Sequence, residues 1–230
     1  MLANDGLWVL GGYLCGSIPF ALLIGRARGV DIRKIGSGNV GAANVTRSIG
    51  RWWGLLCLLL DALKGLVPVV AAGWHFGALG NPDPQAAIAW RWLAVAAAAV
   101  LGHTFPVWLR FKGGKGVATG LGVLLGLWPL LTLPTLASLA TWILLAGLFG
   151  YVSLASVGAA VSLPIYLLAV ATWRAQDATQ LAPFLAITGL LAVLVIARHR
   201  GNLNRLCSGT EPKLAKRAAR SEERHQSEDS

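Results

Sequence analysis

Three short polar segments interrupt an otherwise apolar chain and hold residues that could bind phosphate. We call them the first island (residues 36–51), the second island (residues 113–116) and the third island (residues 199–205). Each combines glycine or amide residues with lysine or arginine. Because glycine lets backbone N–H groups approach an anion and nearby cations add an attractive field, the islands together predict one phosphate-binding site.

The first island opens with residues 36–41 (GSGNVG), a formal match to the GxGxxG fingerprint of dinucleotide-binding proteins. That fingerprint requires a preceding strand and a following helix, whereas this segment lies between two apolar runs, so we do not interpret it as a dinucleotide site. Ser37 and Asn39 can still donate hydrogen bonds to an anion, and Arg47 and Arg51 can each make a forked contact. The alternative is a solvated turn whose cations lie beside lipid headgroups.

The second island surrounds Lys115 with the glycines Gly113, Gly114 and Gly116. It is not a P-loop, because that motif places Ser or Thr directly after the lysine. At the start of a helix, the N-terminal N–H groups and the lysine could hold a phosphate together. A flexible connection whose lysine only orients the protein in the membrane is the alternative.

The third island places His199, Asn202 and Arg205 at positions i, i+3 and i+6. If the preceding apolar run continues as a helix or a turn, these three side chains lie near one face. A histidine at the membrane interface without a chemical role is the alternative.

The composition places most of the chain in lipid. Hydrophobic residues make up 55% of the sequence and charged residues only 13%, whereas a soluble domain is about 25% charged. We therefore predict an all-α integral membrane protein with short loops that carry the motifs. Its 230 residues have room for roughly seven spans of about 20 residues each.

The apolar runs support a count of seven transmembrane helices. The fourth and fifth runs are short, and Trp128, Pro129 and Pro134 mark the break between them, so six spans are the alternative. The runs cover about residues 7–25, 52–74, 86–108, 117–132, 134–150, 153–173 and 183–198.

The basic residues predict an orientation. Segments 26–51, 110–115 and 198–224 hold 17 of the 20 Lys and Arg residues. With seven spans these segments all fall on one side, which the positive-inside rule makes cytoplasmic. The net charge of +10 does not indicate a nucleic-acid partner, because the cations lie beside the spans and no recognition fold is visible.

Other residues within the spans are interpreted as structural. Asp61 and Lys64 are i, i+3 neighbours inside the second run and form a pair that neutralises itself, with a functional role as the alternative. Cys15, Cys57 and Cys207 have the spacing of neither a disulfide framework nor a metal site. Close helix contacts are predicted at the glycine pairs Gly12/Gly16, Gly116/Gly120 and Gly122/Gly126.

Taken together, the islands resemble the PlsY family, the bacterial acyl-phosphate:glycerol-3-phosphate acyltransferases. Order, spacing and number of spans agree over about residues 7–212. The matching motifs are residues 16–20 (GSIPF), 31–33 (DIR) and 36–47, then 102–106 (GHTFP) and 111–119 (FKGGKGVAT), then 199–205 (HRGNLNR) with Gly209 and Glu211.

The resemblance implies a seven-span enzyme of the bacterial inner membrane, with an active site that faces the cytoplasm and with no cofactor or metal. Such an enzyme transfers a fatty acyl group from acyl phosphate to the 1-hydroxyl of sn-glycerol 3-phosphate, which gives lysophosphatidic acid and inorganic phosphate in the first step of phospholipid synthesis. The implied partners are these two substrates, membrane lipids and the enzyme that supplies acyl phosphate.

The resemblance also assigns roles to residues. The catalytic candidates are Ser37, Arg47, Lys115, His199 and Asn202. The substrate-binding candidates are Gly36, Gly38, Asn39, Asn44, Arg51, Gly113, Gly114, Gly116 and Arg205. Ala43 stands where the family usually has Thr, so a hydroxyl contact there is missing or is supplied by Thr46.

The proton acceptor is left with two candidates. No histidine is followed by an aspartate five residues later, which is the pair that a soluble-type glycerol-phosphate acyltransferase would use. We predict that the phosphate of the donor accepts the hydroxyl proton while Lys115, Ser37 and Arg47 hold the oxyanions. His199 as the base is the alternative.

Two other classes of protein compete with this interpretation. A transporter for an anionic phosphorylated metabolite should place its binding residues near the membrane midplane in two related halves. A scaffold that binds phospholipid headgroups would also carry basic clusters beside its spans. Whatever the function, we divide the chain into two parts. Residues 1–212 form a membrane domain, and residues 213–230 form a polar tail that we predict to be flexible.

Overall fold

The protein is described here by a computed structural model that covers residues 2–175 and 178–213. Apart from Lys213, the predicted tail lies outside these described residues. Within them the regular elements are helices and no strand occurs, which confirms the all-α prediction. The helices are α1 (Leu2–Gly16), α2 (Phe20–Ala27), α3 (Ala42–Ser48), α4 (Arg51–His75), α5 (Ala86–Thr104), α6 (Val117–Gly126), α7 (Thr132–Phe149), α8 (Val152–Trp173) and α9 (Ala178–Cys207), with a short 3-10 turn at Val107–Leu109.

Six helical segments of the described chain are long and apolar enough to cross a bilayer. The first combines α1 and α2 as Asn4–Ala27, and the third runs from Ala86 through the 3-10 turn to Leu109. The predicted fourth run, residues 117–132, differs from expectation, because only α6 is helical there and it has 10 residues. At about 1.5 Å per residue, α6 alone is about half the length that a span needs.

The turns after α6 complete a seventh crossing. The N–H of Gly80, in the loop between α4 and α5, donates a hydrogen bond of 3.2 Å to the carbonyl of Trp128. The same end of the molecule holds the rings of Trp8 and His75, which are tilted by 31° with their centroids 4.9 Å apart. Residues 117–131 therefore run from one end of the bundle to the other, partly as helix and partly as turns.

The other end of the bundle collects the three islands, and we call it the site end. Here the start of α8 contacts the segment after α9, because the hydroxyl of Ser153 donates to a carboxylate oxygen of Glu211 at 2.8 Å. Because the seven crossings alternate in direction, the loops after the first and third crossings and the segment after α9 all lie at this same end. The expected grouping is thereby confirmed for segments 26–51, 110–115 and 198–213, whereas residues 214–224 of the third segment lie outside the described residues.

Helix α5 is the centre of the bundle. Of its most apolar stretch, 61% is buried inside the protein, against 17–44% for the other five long segments. Trp92 is fully buried on α5 and donates its indole N–H to the carbonyl of Val69 on α4 at 2.8 Å. After the 3-10 turn the chain returns to the end of α5, so the second island lies against the best-packed helix of the protein.

Close approach between helices depends on glycine. A Cβ on Gly16 would collide with the backbone of Ala99, and one on Gly122 would collide with the backbone of Ala62. The prediction is wrong for Gly120, where a Cβ would meet nothing within 4 Å. The predicted close contacts are confirmed at Gly12, Gly16, Gly122 and Gly126.

We expect Gly122→Ala to destabilise the protein and Gly120→Ala to leave it unchanged or slightly more stable. Both residues lie on α6, so both gain the same helix propensity, about 1 kcal/mol. Only the methyl group at position 122 forces α6 away from α4, at a cost of about 1–3 kcal/mol. Thermal unfolding in detergent would test this, and equal transition temperatures for the two variants would contradict it.

Candidate active site

The loop of the first island is shaped by Asn44, which is buried at the start of α3. Its Oδ1 accepts the N–H of Ser37 at 3.0 Å, and its Nδ2 donates to the carbonyls of Ile32 and Ile35 at 3.1 Å. Gly36 has φ +60° and packs so closely on Asn44 that no side chain fits there. Asn44 and Gly36, both predicted to bind substrate, thus have an observed structural function in the loop, while the side chain of Ser37 is exposed.

The cations of the first island lie on α3 and at the start of α4. Arg47 is half-buried in the last turn of α3, which packs through Thr46 against Gly54 of α4. The hydroxyl of Thr46 donates to the carbonyl of Ala42 at 2.9 Å, so it is engaged within its own helix. Arg51 is exposed and lies over an indole, that of Trp52, at 4.9 Å.

The second island is joined to the end of α5 by backbone hydrogen bonds. The N–H of Gly113 donates to the carbonyl of Thr104, and the N–H of Gly114 to the carbonyl of His103, each at 3.1 Å. This differs from the expectation that both N–H groups meet an anion. The two glycines are required for space, since a Cβ would strike His103 from either position. Gly116, with φ +82°, turns the chain into α6.

The side chain of Lys115 is held by a chain of hydrogen bonds from the third island. Its Nζ donates to Oδ1 of Asn202. The Nδ2 of Asn202 donates to Oε1 of Glu211 at 2.7 Å, and the Nε of Arg205 donates to Oε2 of Glu211 at 2.9 Å. Lys115 and Asn202, predicted from separate islands, therefore meet directly.

Glu211 is the acceptor that organises this chain. Burial raises the pKa of its carboxyl, but hydrogen bonds from Asn202, Ser153 and Arg205 outweigh the burial and hold the pKa below its usual value. It therefore stays ionised near neutral pH. The sequence comparison included Glu211 in the third motif without a role and missed Ser153, for which no local pattern exists.

Arg198 is a second residue that the sequence analysis missed. Its guanidinium donates to the carbonyl of Gly113 at 3.0 Å and lies 5.6 Å from the ring centre of Phe105. It therefore ties α9 to the second island. The signal in the sequence was its position next to His199, where it was counted only as an orienting charge.

His199 and Arg205 have most of their observed contacts with their own segment. His199 is 2% exposed, and its Nδ1 lies 2.8 Å from the carbonyl of Val195. Because a carbonyl only accepts, Nδ1 carries the proton in this contact and Nε2 is the nitrogen left for chemistry. Arg205 is exposed and pairs with Glu211.

All three islands meet at Lys115. A Cβ on Gly114 would lie 2.9 Å from the carbonyl of Val40, so the first and second islands are in contact. Burial lowers the pKa of the Lys115 ammonium to about 8; Glu211 opposes this shift, and the positive charges of Arg205, Arg47 and Arg198 add to it. A cluster of cations with so few carboxylates is suited to bind an anion with several oxygens.

No group of three or more His, Cys, Asp or Glu side chains that could hold a metal ion occurs among the described residues. The described residues of the site offer cations, hydroxyl groups and amide groups. These groups stabilise negative charge on oxygen.

Comparison with known proteins identifies the family. Residues 6–209 match the family model described as glycerol-3-phosphate acyltransferase. A glycerol-3-phosphate acyltransferase of Trichlorobacter lovleyi is 46% identical over 207 residues, which cover 90% of this chain and 96% of that protein. One of Mesorhizobium japonicum is 47% identical over 205 residues, which cover 88% of this chain and 92% of that protein.

A solved structure agrees with the fold as well. It is the crystal structure of PlsY (YgiH), an integral membrane glycerol 3-phosphate acyltransferase, in its glycerol 3-phosphate form. The TM-score is 0.80 and the identity 38%, over 94% of this chain and 98% of that chain. The chain belongs to the glycerol-3-phosphate acyltransferase family, and it is an integral membrane acyltransferase.

We expect kcat/KM for glycerol 3-phosphate to fall as the pH rises through about 8. The pKa of Lys115 is lowered to about 8. Its ammonium group is therefore almost fully charged below pH 7 and loses its charge as the pH rises through the pKa. The Lys115→Arg variant provides the control, because a guanidinium stays charged throughout this range. A wild-type rate that is level to pH 10, or the same alkaline decline in the variant, would contradict the assignment.

Proposed function

We propose that this protein transfers a fatty acyl group from acyl phosphate to the 1-hydroxyl of sn-glycerol 3-phosphate, with lysophosphatidic acid and inorganic phosphate as products. The observation that carries the proposal is the convergence of the islands on the second island at the site end of a bundle of apolar helices. Lys115 bonds to Asn202, Arg198 bonds to the carbonyl of Gly113, and the charge of Arg47 adds to the lowering of the pKa of Lys115. Both proposed substrates bear a phosphate, and one bears a long hydrocarbon chain. A cluster of cations at the membrane boundary suits both features, because the phosphates can meet the charges while the hydrocarbon chain stays beside the apolar helices.

The solved relatives support this choice of acceptor and product. One PlsY structure is described as the glycerol 3-phosphate form and another as the lysophosphatidic acid form. The second relative has a TM-score of 0.77 and is 38% identical to this chain. The acyl-phosphate donor rests on the family resemblance of the motifs.

The proposed reaction needs little covalent participation from the protein. The 1-hydroxyl oxygen attacks the acyl carbonyl carbon, the bond from that carbon to the phosphate oxygen breaks, and inorganic phosphate leaves. The hydroxyl proton passes to the departing phosphate. Holding both reactants in place can contribute roughly 7–11 kcal/mol to the lowering of the barrier.

We assign the side chains as follows within this proposal. Lys115 and Arg47 bind phosphate oxygens and stabilise the charge that develops on the acyl oxygen. The exposed hydroxyl of Ser37 donates to one of these oxygens. Asn202 keeps Lys115 in place. His199 remains the alternative proton acceptor, through Nε2.

The remaining binding candidates fall into two groups. Asn39 and Arg51, at the mouth of the first island, are proposed to contact the glycerol phosphate directly, and Arg205 contributes positive charge. The other residues shape the loops through backbone geometry and packing, as the site contacts indicate: Gly36, Gly38, Asn44, Gly113, Gly114 and Gly116.

The cellular setting is part of the proposal. Within the described residues, segments 26–51, 110–115 and 198–213 lie at the site end and hold 13 of the 20 Lys and Arg residues, which favours a cytoplasmic location in a bacterial inner membrane. Membrane lipids surround the helices, and an enzyme that produces acyl phosphate is the expected source of the donor. Within this proposal the catalysis needs no metal and no cofactor.

Purified protein incubated with acyl phosphate and labelled glycerol 3-phosphate tests the proposal. We expect one inorganic phosphate for each lysophosphatidic acid formed, and the same rate in EDTA. Acyl-CoA and acyl carrier protein thioesters in place of acyl phosphate should give no product. Transport or binding of glycerol 3-phosphate without acyl transfer, or turnover only with a thioester, would refute it.

The relative losses in two variants distinguish the donor phosphate from His199 as the proton acceptor. Lys115→Ala should reduce kcat by about a hundredfold or more, because it removes the central oxyanion contact. His199→Ala should cost less than about tenfold, since a true general base contributes about a hundredfold or more. Lys112→Ala, an exposed lysine in the same loop, is the matched control and should have wild-type activity. The reverse ranking of Lys115 and His199 would make His199 the base.

A further inference from the structure

A buried ion pair lies beneath the site, well inside the bundle. On α4 the Nζ of Lys64 lies 2.6 Å from Oδ1 of Asp61, and the two side chains are 4% and 3% exposed. The same Nζ donates to the carbonyl of Ile18 at 2.7 Å, at the break between α1 and α2. Withdrawing two charges from water is costly, so a pair at this depth needs a structural or functional reason.

His103 extends this pair towards the second island. It lies in the last turn of α5 with its side chain 5% exposed, and its Nδ1 is 3.7 Å from Oδ1 of Asp61, without a hydrogen-bond partner. The opposite edge of the imidazole, around Nε2, occupies the space where a side chain at Gly114 would be. The carbonyl of His103 also accepts the N–H of Gly114.

The cluster of Asp61, Lys64 and His103 therefore touches both the break between α1 and α2 and the second island. Lys64 reaches the break through the carbonyl of Ile18, and His103 reaches the second island through Gly114. A small pocket opens between the two islands over the cluster, and Val40 and Gly114 line it from above. A pair that only neutralised itself would need neither the third member nor these contacts.

We propose that the Asp61, Lys64 and His103 cluster positions Lys115 for acyl transfer by fixing the second island against the first. Asp61 orients the imidazole, the imidazole supports Gly114, and Lys115 is the next residue along the chain. These three are positioning residues, since they lie beneath the second island and act on Lys115 through Gly114. This inference rests on the proposed function, because the effect of the positioning is measured as the rate of acyl transfer.

The first test uses variants that remove charge and keep shape. Asp61→Asn alone leaves the Lys64 ammonium buried without its partner, so we expect lower thermal stability and at least a tenfold loss of kcat/KM. Asp61→Asn with Lys64→Met removes both charges, and it should recover the stability without recovering the rate. Thr188→Val is the control, because Thr188 is buried on α9 and bonds only to carbonyls of its own helix.

The pH profile separates positioning from simple stability. The ammonium of Lys115 interacts electrostatically with Arg47, Arg198, His199, Arg205 and Glu211. Its burial is the largest cause of its lowered pKa, and we expect this pKa to set the pH at which activity declines. If the second island loses its support, Lys115 becomes more exposed and that decline should move upward by half a pH unit or more in the double variant. A double variant with the wild-type rate and pH profile would overturn the proposal.

A double-mutant cycle tests the support of Gly114 separately and needs no change in buried charge. Gly114→Ala should lose at least tenfold activity, because the new methyl group strikes His103. In a His103→Ala background the same change should cost at least fivefold less, since the imidazole is gone. Losses that add independently would show that the ring does not support the loop.

The outcomes distinguish the two proposals. If the wild-type protein forms no lysophosphatidic acid from acyl phosphate, the proposed function fails. If the wild-type protein is active, but the charge-free double variant matches it or the cycle is additive, the positioning role fails and the acyltransferase remains.

Discussion

The arrangement of the site depends on keeping one lysine charged in a half-buried place. Lys115 lies among cations that disfavour its protonation, and the hydrogen bond to Asn202 together with the charge of Glu211 compensates. Glu211 in turn holds Asn202, Arg205 and Ser153. Because these contacts join the loop before α6, the end of α9 and the start of α8, they also fix how the helices meet at the site end.

The membrane imposes the second constraint. Polar loops can bind a water-soluble phosphate only at a bilayer surface, so three islands that share one site must be separated from one another by even numbers of crossings. The short helix α6 and the turns through residue 131 supply the crossing that six long segments lack. This segment can depart from regular helix because it is covered by α4 and by the core around α5.

The residues of the candidate site were predicted one by one through the resemblance of the motifs to a known family, and the structure brings several of them together. Lys115 and Asn202 were predicted from different islands and are in contact. The structural role of the glycines was harder to predict from the sequence. At Gly113 and Gly114 the sequence suggests N–H groups that face a ligand, but those groups bond to the end of α5, and the glycines are needed because His103 leaves no room. Such a requirement depends on a neighbour that is distant along the chain.

By itself the sequence determined that the chain lies in a membrane, that it is helical, that its basic segments group on one side and to which family it belongs. Composition, charge and motif spacing are sufficient for this because they are local properties of the chain. Only the tertiary structure decided that α6 is half a span, that Arg198 and Ser153 belong to the site and that Asp61 faces His103. The reason is physical: helix length follows from residues in sequence, whereas a hydrogen bond between helices depends on their rotation and height in the bundle, which the packing of all the helices sets together.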